Sequence, residues 1–228
     1  MPPWEDVGSG LHTAGQGGQS EPPGRAGPAG STGPAGSTGE ERATMITADD
    51  HDRPPRPELA GARVRLRPGE ERDVPLLQAI LAEPEVTCWW GDPEPVSMVA
   101  AKLRGDDESV LLVVEAAGQV IGGIEYHEEN EPMYRHAGID IYLSARGQGQ
   151  GLGTEAVTLL ARFLFEQRGH HRLTIDPAAA NQPAIRCYEK VGFRPVGVLR
   201  QYERGRDGRF HDGLLMDLLR AELVVGAG

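Results

Sequence analysis

The sequence predicts an α/β protein with a mixed sheet, and three observations carry that prediction. First, a strand-like apolar run, Ala137–Leu143, leads into Arg146–Gly153, where four glycines alternate with other residues, and a helix-like run, Thr154–Gln167, follows at once. Second, strand and helix periodicities alternate through the second half of the chain, the pattern of an α/β fold. Third, Ser109–Ala116 and Gln119–His127 are two apolar runs around Gly118, a hairpin signal that brings antiparallel pairing into the same sheet.

Taken in order, the folded part opens near Glu58. Arg63–Arg67 alternates Val64 and Leu66 with arginines, as a half-buried strand does. Glu70–Ala82 carries Val74, Leu77, Ile80 and Leu81 at helical spacing, with Asp73 and Pro75 near its start and Pro84 as its stop. Cys88-Trp89-Trp90-Gly91 reads as an exposed aromatic loop, and Val96–Leu103 as a short helix. After the central helix come a short strand, Arg172–Asp176, and a helix, Asn181–Lys190. That helix is capped by Asn181, has Pro183 early and stops at Gly192. Phe193–Leu199 and Gly213–Leu219 close the set as strands, with a turn at Arg204–Gly208.

Residues 1–56 read differently. They are rich in Gly, Pro, Ser and Thr and have few large apolar residues, so burial cannot offset the entropy of ordering them. Gly24, Gly27, Gly30, Gly33, Gly36 and Gly39 repeat at the collagen period, but the run is short and is read as a low-complexity extension. Residues 57–228 form the expected domain. Met45 is read as the start of the native product, which N-terminal sequencing of the protein from its source tests.

The 228 residues carry a net charge of −11 and 39% hydrophobic residues, with a mean hydropathy of −0.41. That charge disfavours a nucleic-acid binder and is compatible with a cationic substrate. No apolar run approaches the ~20 residues that span a bilayer, and no secretory h-region follows the start. Cys88 and Cys187 form no disulfide framework, so a cytoplasmic location is expected. No metal-ligand spacing is present, and no membrane partner is expected.

The glycine stretch carries the chemistry. A glycine-rich turn between strand and helix leaves backbone N–H groups aimed at one point, an anion site suited to a pyrophosphate. It is not a P-loop, because Gly153 is followed by Thr154 with no lysine. It is not the dinucleotide fingerprint, because Leu152 stands where the third glycine is needed. The spacing Arg146-x-x-Gly149-x-Gly151 resembles the coenzyme A loop of the GCN5-related N-acetyltransferases (GNAT). A second segment, Asn181-x-x-Ala184-x-x-x-Tyr188-x-x-x-Gly192-Phe193, resembles that family's next motif, at the family's distance behind the loop. The resemblance runs from about Glu58 to Leu223.

It implies the GNAT fold: a mixed, mostly antiparallel central sheet with flanking helices and two splayed parallel strands, here Ala137–Leu143 and Arg172–Asp176. It implies acetyl-CoA as cofactor, held by Tyr142, Leu143, Arg146, Gln148, Gly149, Gln150, Gly151, Leu152, Gly153, Thr154, Asn181 and Ala184. Strand alternation puts Asp140 on the less apolar face with His136, Gly138 and Tyr142. On that face Asp140 is either a solvated strand residue or, as the resemblance implies, the catalytic group that holds an ammonium and accepts its proton. Tyr188 is by composition a core tyrosine, and by the motif the acid that protonates the coenzyme A thiolate. Cys187 is read as packing.

Within the family the second half is most similar to aminoglycoside 6'-N-acetyltransferases, through Gly138-Ile-Asp140, Thr174-Ile-Asp176-Pro177 and Ala184-Ile-Arg-Cys-Tyr188. Trp89-Trp90-Gly91 resembles their substrate-side tryptophan loop. The expected substrate site is therefore Trp89, Trp90, Glu125, Asp140 and Asp176, with Glu125, Glu128, Glu129 and Glu131 as a negative rim. The expected partner is a small polycationic amine, and the protein a monomer or weak homodimer. The Arg200–Asp212 segment departs from that pattern and resembles the ribosomal-protein and spermidine branch. Two alternatives stay open: acetylation of another amine (a polyamine, a protein N-terminus or a siderophore precursor), and a non-catalytic acyl-CoA-binding module.

Overall fold

The computed structural model describes residues 54–224. The low-complexity tract and Met45 lie outside the described residues. Pro55 and Arg56, read with that tract, already touch the domain: the Pro55 carbonyl accepts from Tyr126 and the Arg56 guanidinium donates to the Gly69 and Leu103 carbonyls.

Eight strands form one sheet: β1 (Leu59–Ala60), β2 (Val64–Pro68), β3 (Val110–Ala116), β4 (Gln119–Glu129), β5 (His136–Leu143), β6 (Arg172–Ile175), β7 (Arg194–Arg204) and β8 (Phe210–Leu219). Their order is β1-β2-β3-β4-β5-β6-β8-β7, with every pairing antiparallel except β5–β6. The mixed sheet is as expected from the hairpin and the strand–helix alternation. The long β7–β8 hairpin extends further than the sequence suggested, pairing Arg204 with Phe210 at its tip.

Five helices cover the sheet: α1 (Val74–Leu81), α2 (Pro84–Trp90), α3 (Val96–Arg104), α4 (Leu152–Glu166) and α5 (Gln182–Val191). One apolar cluster joins α4 and α5 to one face through Ala156, Val157, Leu160, Ile185, Ile139 and Leu173. A second joins α1 and α3 to the other face through Leu77, Val99, Leu103, Leu111 and Tyr142. Pro84 is a helix start as well as a stop: it occupies the first turn of α2, where its missing N–H costs nothing. Trp89 and Trp90, expected in a loop, therefore sit on the last turn of α2.

The feature that makes a site is the parting of β5 from β6. They pair only at Ala137↔Leu173 and Gly138↔Thr174, while β5 runs on to Leu143 against β4 alone. Beyond β6 the chain stays with β8 instead, through Leu214 N–H to Pro177 and Ala179 N–H to Asp212. A cleft opens between the diverging strands.

Candidate active site

The glycine loop forms one wall of this cleft. A short 3-10 turn, Ala145–Gly147, ends β5, and Gly149 (φ +73°) and Gly151 (φ +79°) take left-handed backbone that side chains resist. Among the described residues the N–H groups from Gly149 to Thr154 meet no protein acceptor. They converge at the start of the fifteen-residue α4, where the helix dipole favours an anion. The loop is braced from behind. Gln148 donates to the Leu143 carbonyl at 2.8 Å, Arg146 to Val120 at 2.8 Å, and Arg63 to Gln150 at 3.0 Å.

The opposite wall carries carboxylates. Asp140 on β5 and Asp176 just after β6 face each other across the splay, with no donor for Asp140 among the described residues. Burial, and then the Asp176 charge, push the Asp140 carboxyl up to about 6. Asp176, beside Tyr202 of β7, and burial push that phenol up to about 12. Tyr188 on α5 is 6% exposed, and its hydroxyl has no protein partner among the described residues. Burial holds its pKa far above the usual phenol value, so it keeps its proton at any working pH. Trp89 and Trp90, 37% and 36% exposed, face the same cleft, and Trp90 meets the Tyr142 ring edge-on at 5.1 Å. The cleft holds about 1320 Å³, enough for two substrates together. Its groups can bind a pyrophosphate at one end, hold a cation at the other, accept a proton at Asp140 and donate one at Tyr188.

Residues 63–194 match the acetyltransferase (GNAT) domain. The chain belongs to the GNAT acetyltransferases. It is 32% identical over 155 residues to the aminoglycoside N(6')-acetyltransferase type 1 of Klebsiella pneumoniae, covering 60% of this chain and 76% of the relative. It is 29% identical over 168 residues to the spermidine N(1)-acetyltransferase of Escherichia coli K12, covering 71% and 89%. The crystal structure of the aminoglycoside acetyltransferase AAC(6')-Ib in complex with coenzyme A superposes with a TM-score of 0.58 at 26% identity, over 70% of this chain and 96% of that one. As a GNAT enzyme the chain uses acetyl-CoA, which supplies the activated acetyl group when bound. The cradle fits it. The free amides suit a pyrophosphate, the splay suits a narrow chain, and Arg186 and Lys190 of α5 line the loop end with positive charge.

The structure brings most of the expected site residues into one cleft: Trp89, Trp90, Asp140, Tyr142, Leu143, Gln148, Gly149, Gly151, Gly153, Thr154, Asp176, Asn181, Ala184 and Tyr188. Asn181 also caps α5, accepting from Ala184 N–H at 3.2 Å. Four are placed differently. The side chain of Arg146 is spent on the Val120 carbonyl of β4 and that of Gln150 on the Arg146 carbonyl, and Leu152 is in the core, so these three offer backbone only. Glu125 is not part of an exposed rim. It is 7% exposed in β4 and bonded to Lys102, while Glu128 projects to the other sheet face and pairs with Arg168 and His170. Alternation along a strand separates the two residues, and so no Glu125–Glu131 rim exists. Sequence reasoning missed how far the β7–β8 hairpin extends, which brings Tyr202, Glu203 and Asp212 to the cleft, and Arg206, which reaches Asp92 at 3.0 Å and Thr87 at 3.2 Å. Cys187 lies 3.3 Å from Thr154, and burial pushes its thiol up, which suits packing rather than nucleophilic attack. Among the described residues there is no metal-binding cluster and no helix long and apolar enough to cross a membrane.

Proposed function

We propose that the chain transfers the acetyl group of acetyl-CoA to the 6'-amino group of an aminoglycoside, and so confers resistance to it. One observation carries the reading: two carboxylates without a salt-bridge partner among the described residues, Asp140 and Asp176, line the same cleft as two adjacent tryptophans. A polycationic sugar loses the solvation of several ammonium groups on entry, which carboxylates replace, and its ring faces are covered by rigid aromatic area. The aminoglycoside relatives support the same reading. Asp140 holds the acceptor nitrogen and takes its proton as the new C–N bond forms. Tyr188 offers its phenolic proton to the departing sulfur as the C–S bond breaks. Asp176, beside Tyr202 on the cleft, fixes a second ammonium. A polyamine is the second reading, supported by Glu203 and Asp212, which the β7–β8 hairpin adds to the cleft, and by the spermidine relative.

The test is thiol release from acetyl-CoA with kanamycin, spermidine and an N-terminal peptide at equal concentration. The expected result is preference for kanamycin, with kcat/KM falling as salt rises because exposed charges are screened. Turnover of spermidine or the peptide with none of kanamycin would overturn the aminoglycoside reading and leave the acetyltransferase intact.

A further inference from the structure

Behind Asp140 the sheet carries a buried cation that nothing in the reaction so far uses. Glu125 on β4 is the direct cross-strand partner of Asp140 on β5, and both lie on the face covered by α3. Lys102 comes down from α3 onto that face. Its Nζ lies 3.0 and 3.2 Å from the two Glu125 oxygens and 2.7 Å from Glu94. Lys102 is only 9% exposed and Glu125 only 7%.

A buried ion network of this kind is a poor stabiliser. Its desolvation cost roughly cancels its attraction, and well-packed apolar residues of the same volume do as well or better. Stability alone therefore does not account for a lysine here, one strand away from a carboxylate that lacks any hydrogen-bond donor. The charges that face Asp140 are Glu125 on β4, Lys102 on α3 with Glu94 behind it, and Asp176 after β6. Two phenols, Tyr188 on α5 and Tyr202 on β7, complete the set. Four carboxylates crowd together there, and Lys102 is the cation among them.

We propose that Lys102 is a positioning residue for acetyl transfer: held by Glu94 and Glu125, it offsets part of the negative charge around Asp140 and so keeps that carboxylate ionised and able to accept the acceptor's proton. The proposal rests on the reading of Asp140 as proton acceptor. The charge balance agrees in sign. Burial and Asp176 raise Asp140 while Lys102 opposes them, and burial raises Glu125 while Lys102 again opposes. Because Glu125 and Asp140 interact, the acid limb of the pH profile belongs to the pair.

The experiment is the pH profile of kcat/KM for wild type, Lys102→Met, Glu125→Gln and Asp140→Asn, using acetyl-CoA and the amine that the substrate panel selects, with thermal unfolding as the folding check. Removing the cation is expected to move the acid limb up by roughly one unit, and removing the neighbouring carboxylate to move it down. A packing role would scale kcat/KM without moving the limb in either direction. Unmoved limbs in both folded variants overturn the proposal. Should Lys102→Met fail to fold, Glu125→Gln decides alone: a downward limb supports the proposal and an unmoved one overturns it. An Asp140→Asn enzyme with wild-type rate and limb overturns the reading of Asp140 itself, a result distinguishable from failure of the Lys102 proposal.

Discussion

Glu128 and Asp140 lie on neighbouring strands of one sheet, both largely removed from water, and their surroundings drive them in opposite directions. Glu128, near the end of β4, receives two bonds from Arg168, each 2.9 Å, and one contact from His170 at 2.7 Å. Burial alone would raise its pKa, but these partners pull it down to about 2. Asp140 sits where β5 and β6 have parted. The strand that would bring donors has turned away to β8, and burial with a like charge opposite drives it up to about 6. The same residue chemistry becomes a structural tie at the closed end of the sheet and a reactive group at the open end. Topology decides which, through the number of donors it leaves in reach.

The comparison breaks most directly on activity. Asp140→Asn removes the proton acceptor while preserving shape, and general-base assistance is worth about 10²–10⁴-fold, so kcat/KM should fall by that order. Asp176→Asn should lose less, since Asp176 is assigned binding only. A wild-type profile for Asp140→Asn would return Asp140 to the class of Glu128. Tyr188→Phe should follow with a fall in kcat of about 10²-fold and little change in KM, measured where chemistry limits turnover. An unchanged kcat in a folded variant would leave Tyr188 as a core residue packed against Phe193.

What was legible in the sequence divides along the same lines. The donor side of the cleft is built from backbone over a continuous stretch, and backbone demands leave local marks. Gly149 and Gly151 mark left-handed turns, Asn181 a cap, and Gly192 (φ +116°) a helix stop whose Cβ would strike the Glu222 carbonyl. The acceptor side is built from side chains that meet only in the folded chain. Lys102 reaches Glu125 across 23 positions, and Arg206 reaches Thr87 across 119. No spacing rule encodes such pairs, so the sequence marks Glu125 as a rim residue and gives Lys102 no role. Trp89 and Trp90 are exposed, as the sequence predicts, but the sequence marks Pro84 only as a stop, because the residue that follows the end of α1 also begins α2.

The smallest expected effects are on stability, and there the two carboxylates should pull in opposite directions with pH. Glu128 has a folded pKa below its ordinary value of about 4.3. Its contribution is therefore fully present above that value and is lost as pH falls from about 4.5 towards 2. Glu128→Gln should cost about 2 kcal/mol at neutral pH, with the difference from wild type closing in acid and with catalysis untouched. Asp140 has the reverse sign. Its folded pKa lies above the ordinary value of about 3.9, so ionising it in the fold is a cost that grows as pH rises from about 4 through about 6. Asp140→Asn should then stabilise the protein above pH 6, by about 1 kcal/mol, or roughly 2–4 °C in Tm, and the gain should vanish below pH 4. Thermal unfolding of both variants and wild type from pH 3 to 8 measures the two slopes on one protein. A loss of stability in Asp140→Asn at pH 7.5 would mean that the carboxylate has a partner in solution, and that the open end of the sheet satisfies its charges as fully as the closed end does.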